Sequence, residues 1–210
     1  MTDRFVDEAR ANMGAIERLL KGLPGIRGYV DKELRRDADK RLRELIAGQL
    51  EEQKQALLTL QNSLLKSGGL QWLDDVDGAI RKLQILIDRV KTASMGYAGL
   101  FDAVRIQEQQ LEALHRFDVA LAEKVVAVQK GVRALQDAVA SNESIGAVAA
   151  QLTGLIDQLN TLFNRRREAI LSPDLLTDPG QLPEVDETWL GEPSTGDASS
   201  GEGEEHGEEH

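Results

Sequence analysis

Apolar residues recur along this chain at three- and four-residue steps, the spacing that gathers them on one face of an α-helix. Over 3–21, Phe5, Ala9, Met13, Ile16 and Leu20 form one stripe, which Gly22, Pro24 and Gly25 terminate. A second helix is expected from about Tyr29 to Lys66, with a seam through Leu34, Ala38, Leu42, Leu45, Gln49, Glu52, Ala56, Leu60 and Leu64. The polar residues Gln49 and Glu52 in mid-seam speak against a perfect two-stranded coiled coil and for a bundle with a partly wet layer. Ser67-Gly68-Gly69 should end this helix, because glycine takes the left-handed C-cap conformation cheaply. A third helix over about 70–92 carries Leu73, Val76, Ile80, Leu83, Ile87 and Val90, and Ile85 and Leu86 widen its face, predicting burial on more than one side. The glycine-punctuated stretch 94–99 and the pair Leu100-Phe101 lead into a fourth helix, starting near Asp102 or Ile106 and ending at Ala140. Its seam is Leu111, Leu114, Asp118, Leu121, Val125, Val128, Val132, Leu135 and Val139. Ser141-Asn142-Glu143-Ser144 breaks it and offers N-cap residues to a fifth helix, about 145–170, with Val148, Leu152, Leu155, Leu159, Leu162 and Phe163. The expected fold is all-α: an elongated antiparallel helical bundle or coiled coil, in which short connections make successive helices neighbours.

Composition sharpens this picture. The chain is 41% hydrophobic but only 4% aromatic, so its core must be built from Leu, Ile, Val and Ala, an inventory suited to helices packed through an aliphatic seam. Cysteine is absent, which excludes disulfides and thiolate metal sites. The opening MTDRFVDEARANMG has no uninterrupted apolar run, so no secretory signal is expected. No window approaches the roughly 18 apolar residues of a membrane span, and the expected location is cytoplasmic. The net charge of -11 is unevenly placed. Residues 172–210 hold twelve of the 36 acids, no Lys or Arg, and four of the five prolines, leaving the rest of the chain close to neutral. Charge and proline content change together near Ser172, which predicts a helical body over 1–171 and a disordered acidic tail over 172–210.

Two stretches, GLPGIRGYVDKELRRDADKRLRE at 22–44 and TASMGYAGLFDAVRIQEQQLEALHRFD at 92–118, resemble an uncharacterised bacterial family of helical, coiled-coil-rich proteins. That resemblance implies a helical body and no activity. The segment RFVDEARANMGAIERLL at 4–20 resembles the opening amphipathic helix of phage-shock protein A and its membrane-remodelling relatives. The chain departs from that family in a shorter following helix and more frequent glycine breaks. The resemblance implies a membrane surface as an alternative partner, with Phe5, Met13, Ile16 and Leu20 as the membrane-facing residues.

Groups suited to chemistry are few. His115, between Glu112 and Asp118 on the fourth helix, has the neighbours of a general base oriented by a carboxylate. With no nucleophile or second histidine in the body, it reads instead as a helix histidine at the edge of the apolar face. Asp74, Asp75, Asp77 and Gly78 suggest a calcium loop, but Ile85 stands where the closing glutamate belongs. Those acids suit the first turns of a helix, where they complement its dipole. Gly96-Tyr97-Ala98-Gly99 lacks the lysine of a phosphate loop. The bases from Arg35 to Arg43 are interleaved with Asp37, Asp39 and Glu44 and should pair at i,i+4; Arg165-Arg166-Arg167 falls where a helix C-terminus favours cations. No catalytic residue, metal ligand or cofactor is therefore assigned, no nucleic-acid partner is expected, and the chain is not read as an enzyme. On the first helix Asp3, Asp7, Glu8 and Glu17 balance Arg4, Arg10, Arg18 and Lys21, so packing against the bundle is preferred over attachment to anionic lipid.

The tail offers the strongest lead. Within a stretch too polar to offset its ordering entropy lies an apolar island, Leu182 to Leu190, containing Trp189. A disordered segment has no intrinsic need of a tryptophan. Leu182, Val185, Trp189 and Leu190 are accordingly the candidate partner-binding residues, docking either on another protein or back on this chain's own bundle. The doubled Gly-Glu-Glu-His at the end, with His206 and His210, reads as a solubilising tail and not as a preorganised metal site.

Overall fold

The computed structural model describes residues 32–93 and 108–186. The predicted 3–21 helix, the 94–99 turn and Trp189 and Leu190 lie outside the described residues. Within them the fold is an all-α bundle of four helices: α1 Lys32–Ser67, α2 Leu73–Thr92, α3 Glu108–Ser141 and α4 Ile145–Leu171. No strand occurs among the described residues. At 36 residues α1 is about 54 Å long, from 1.5 Å per residue.

Local chemistry sets the helix ends. Gly68 adopts φ +82°, and the Gly69 N–H closes onto the Leu64 carbonyl at 3.0 Å, so the glycine pair ends α1 as its sequence predicts. A 3-10 turn, Leu70–Trp72, leads into α2, whose first turn holds Asp74 and Asp75 against the positive end of the helix. The α3–α4 connection differs from expectation. Asn142 and Ser144 both take left-handed φ values, 56° and 54°, and the Ser144 hydroxyl caps no N–H of α4. The tight reversal is made by the backbone, the Glu143 N–H bonding the Ala138 carbonyl at 3.0 Å.

Packing selects among the apolar stripes. The seam of α3 is buried at Leu114, Asp118, Leu121, Val125, Val128, Val132 and Leu135, as the spacing predicts. On α2 the seam from Val76 to Val90 is buried with Leu86, but Ile85 is 60% exposed, so α2 is covered on a narrower arc than its composition suggested. On α1 the buried line is Leu42, Ile46, Leu50, Leu57, Leu60 and Leu64, while Glu52 is exposed and Leu45 and Ala56 lie half-buried at the edge. Two adjacent apolar lines run along α1, and contact with both α2 and α3 decides which faces inward. Beside the core the Gln129 side-chain amide donates to Gln49 Oε1 at 2.5 Å.

The order of helices around the bundle is α1, α2, α4, α3. Lys91 bonds Glu51 and Lys54 bonds Gln84, so α1 and α2 are antiparallel. Trp72 lies on Gly146, Lys82 bonds Asp157 and Arg89 bonds Asn160, so α2 and α4 run parallel. Arg166 meets Asp118 and Lys124 meets Gln158, making α3 and α4 antiparallel. It follows that α1 and α3 are parallel neighbours. Helices α2 and α3, successive in sequence, sit across the diagonal without substantial packing among the described residues, contrary to the expectation that successive helices are neighbours. The rule depends on short connections, and residues 94–107 separate these two.

The packed body does not stop at the composition break. Beyond α4 the chain makes two 3-10 turns, Pro173–Leu176 and Pro179–Gln181, and continues without regular secondary structure to Asp186. Both turns begin with proline, whose fixed φ lowers the entropy lost on ordering. Leu176 is only 3% exposed, and Leu182 and Val185 pack against the core. Three apolar anchors thus order a segment whose average composition predicts disorder.

Candidate functional site

An outer groove runs between α3 and α4, and residues 173–186 lie in it as a strap. Polar contacts to its backbone hold the strap. Arg165 donates from Nη2 to the Gln181 carbonyl at 2.6 Å, and Arg116 donates from Nε to the Pro183 carbonyl at 3.0 Å. The Asp186 N–H donates to Glu123 Oε1 at 3.1 Å. Bonds with one ionised partner are stronger than neutral ones, and these grip the main chain, leaving the side chains to pack. Leu182 and Val185 point apolar surface at the bundle and Pro183 is buried. Two of the four candidate docking residues, Leu182 and Val185, are therefore brought together on this chain's own groove. The candidates Trp189 and Leu190, and the membrane candidates Phe5, Met13, Ile16 and Leu20, lie outside the described residues.

The groove runs on past the strap. Beside the strap, Ala120, Glu123, Lys124, Asp157, Gln158, Thr161 and Leu162 line an open hollow of about 600 Å³. Further along the same face is a smaller recess of about 250 Å³, with Ala127, Gly131 and Ala134 on α3 and Val148, Leu152 and Leu155 on α4. Its depth depends on Gly131: a Cβ there would stand 3.0 Å from one Leu152 methyl carbon and 3.2 Å from one of Leu155. Lys130 and Gln151 form the rim.

Beneath the strap's anchoring arginines lies a buried ion pair. Arg166 Nε meets Asp118 Oδ1 at 2.6 Å, with the two side chains 2% and 0% exposed. The three consecutive arginines of α4 consequently serve different surroundings: Arg165 holds the strap, Arg166 enters the core, and Arg167 faces solvent. None lies in the last turn of α4, so the expected helix-end role is replaced by tertiary contacts. Of the two carboxylates flanking His115 in the sequence, Glu112 and Asp118, the second pairs with Arg166. His115 is half-buried, and its Nδ1 has no hydrogen-bond partner among the described residues. Around the interleaved charges of α1, Lys40 pairs with Glu44 at i,i+4 and Arg43 is buried.

Sequence reasoning singled out Leu182 and Val185 but missed the receiving surface, namely Arg116, Arg165 and Glu123, which look like ordinary solvated charges. For the ion pair beneath it the signal was Asp118, a carboxylate in the middle of an otherwise aliphatic seam, which when buried calls for a charged partner. Among the described residues no group of three or more His, Asp or Glu gathers as a metal site, and no helix is long and apolar enough to cross a membrane. Comparison with protein-family models, with curated proteins and with solved structures finds no match to the chain.

Proposed function

We propose that this chain is a non-enzymatic helical adaptor, cytoplasmic in location, that captures a partner protein through its acidic, tryptophan-containing C-terminal segment. The observation that carries the reading is the strap: Leu182 and Val185 lie in a two-helix groove with backbone carbonyls gripped by Arg116 and Arg165. A segment able to lie in that way on a helical groove suits a partner presenting a similar surface, two packed helices with arginines at the rim. In such a complex Trp189 and Leu190 supply the large apolar anchors, the residue type that dominates binding energy at interfaces.

The test is capture from native lysate by the full chain, by Trp189→Ala, and by a variant ending at Asp186, which retains every described contact. A cut at 171 is unsuitable because it strips Leu176 from the core. A partner held by the full chain and bound about 30-fold more weakly by Trp189→Ala, the factor equivalent to a 2 kcal/mol hot spot, supports the adaptor. Equal recovery by all three baits sinks it. Flotation with anionic liposomes that depends on Phe5, Met13, Ile16 and Leu20 would favour instead a peripheral membrane protein acting through residues 3–21.

A further inference from the structure

We propose that the recess between Ala127 and Leu155 receives this chain's own Trp189. Direction is the first argument. Moving along the strap from Pro183 to Asp186, its contacts on α3 advance from Arg116 to Glu123, so the chain is heading along α3 toward Ala127 and Gly131. Both hollows use one stripe of each helix: Ala120, Glu123, Ala127 and Ala134 on α3, and Thr161, Gln158, Leu155 and Gln151 on α4. The groove is therefore continuous, and the strap fills only its first half.

Reach is the second. From Glu123 to Ala127 and Gly131 the distance along α3 is about 6 and 12 Å, at 1.5 Å per residue. Trp189 stands three residues beyond Asp186, about 10 Å of extended chain. The tryptophan thus arrives at the recess without slack or strain. Size and charge agree. A volume of about 250 Å³ lies below the roughly 300–1,000 Å³ of small-molecule pockets and suits one large side chain. The floor is aliphatic, and its exposed rim residue Lys130 is a cation, opposite in charge to Glu187 and Glu192, which flank Trp189 in the sequence. The inference deepens the adaptor reading by giving its tryptophan a seat on this chain, yet its test involves no partner, so either can fail alone.

The chain has two tryptophans, so full-length Trp72→Phe reports Trp189 alone. The expected result is blue-shifted emission and acrylamide quenching several-fold weaker than that of a free indole, at every protein concentration. Ala127→Glu or Lys130→Glu, in the same background and with helix content unchanged, should raise quenching toward the free value. As Trp72 itself packs on α4, wild-type protein labelled with 5-fluorotryptophan gives an independent readout, in which the Trp189 resonance, assigned with Trp189→Phe, should shift on Lys130→Glu. Fully quenchable Trp189 in the parent overturns the proposal. So does protection that both substitutions leave intact, which places the indole elsewhere, or protection lost on dilution, which means that the groove is filled by a second copy.

Discussion

Arg166→Ala is the most informative single perturbation of this fold. Asp118 and Arg166 are essentially excluded from solvent and meet at 2.6 Å, at the short end for a charge-assisted bond. The attraction between them offsets the cost of removing two charges from water, so the intact pair adds little net stability. Removing one partner is different, because it leaves the other charge buried and uncompensated, at a cost of about 3–5 kcal/mol. For a protein of this size each kcal/mol shifts Tm by about 2–4 °C, so Arg166→Ala should lower Tm by about 6–20 °C. The double substitution Asp118→Leu with Arg166→Met restores apolar volume without a stranded charge and should be within about 1 kcal/mol of the parent, or more stable. Urea unfolding followed by circular dichroism measures all three, with an unchanged denaturant slope showing that the same surface is exposed. A single-substitution loss below about 1 kcal/mol, or a double variant as unstable as Arg166→Ala, would refute the reasoning.

Three further outcomes follow from the packing. Leu176→Ala should cost about 2–5 kcal/mol, the range for a buried leucine, and should speed amide hydrogen exchange across 178–186 if the strap is held by its anchor. Gly154→Ala, with open space at its Cβ position, should stabilise α4 by about 0.5–1 kcal/mol. Gly146→Ala should instead destabilise it, since the new Cβ would stand 2.7 Å from the Trp72 ring; thermal melts of the two variants separate the effects. Hydrogen bonds from Lys54 and then Lys91 hold the Glu51 carboxyl below the usual glutamate range. A lowered folded value stabilises above the unfolded carboxylate range and is lost as pH falls through the folded value. The advantage of wild type over Glu51→Gln should therefore appear near neutral pH and vanish in acid. Because the site is about a third exposed, it should stay under about 1 kcal/mol in urea midpoints.

The helices were legible because their causes are local. Spacing of three and four along α2 and α3, the glycine pair after Ser67, and the proline after Leu171 act within a few residues, and the C-terminal ends of α1 and α3 and both ends of α2 and α4 lie within a turn of the expected ones. The α1 seam was misplaced through Leu45, Gln49, Glu52 and Ala56 because that helix offers two apolar lines, and only neighbours choose between them. The strap was read as tail because average composition hides three well-placed anchors, Leu176, Leu182 and Val185, whose value depends on a groove built elsewhere in the chain.

Sequence alone thus determined the class of the fold, most of the helix ends and the apolar docking candidates, since periodicity, capping and composition act at short range. Tertiary structure decided that α2 and α3 stand on the diagonal, that Asp118 pairs with Arg166, and that the acidic segment is held on its own bundle through Asp186. The physical reason is common to all three. Each depends on groups tens of residues apart meeting where water is excluded, and burial strengthens their electrostatics while selecting one packing among several that the same periodicity allows.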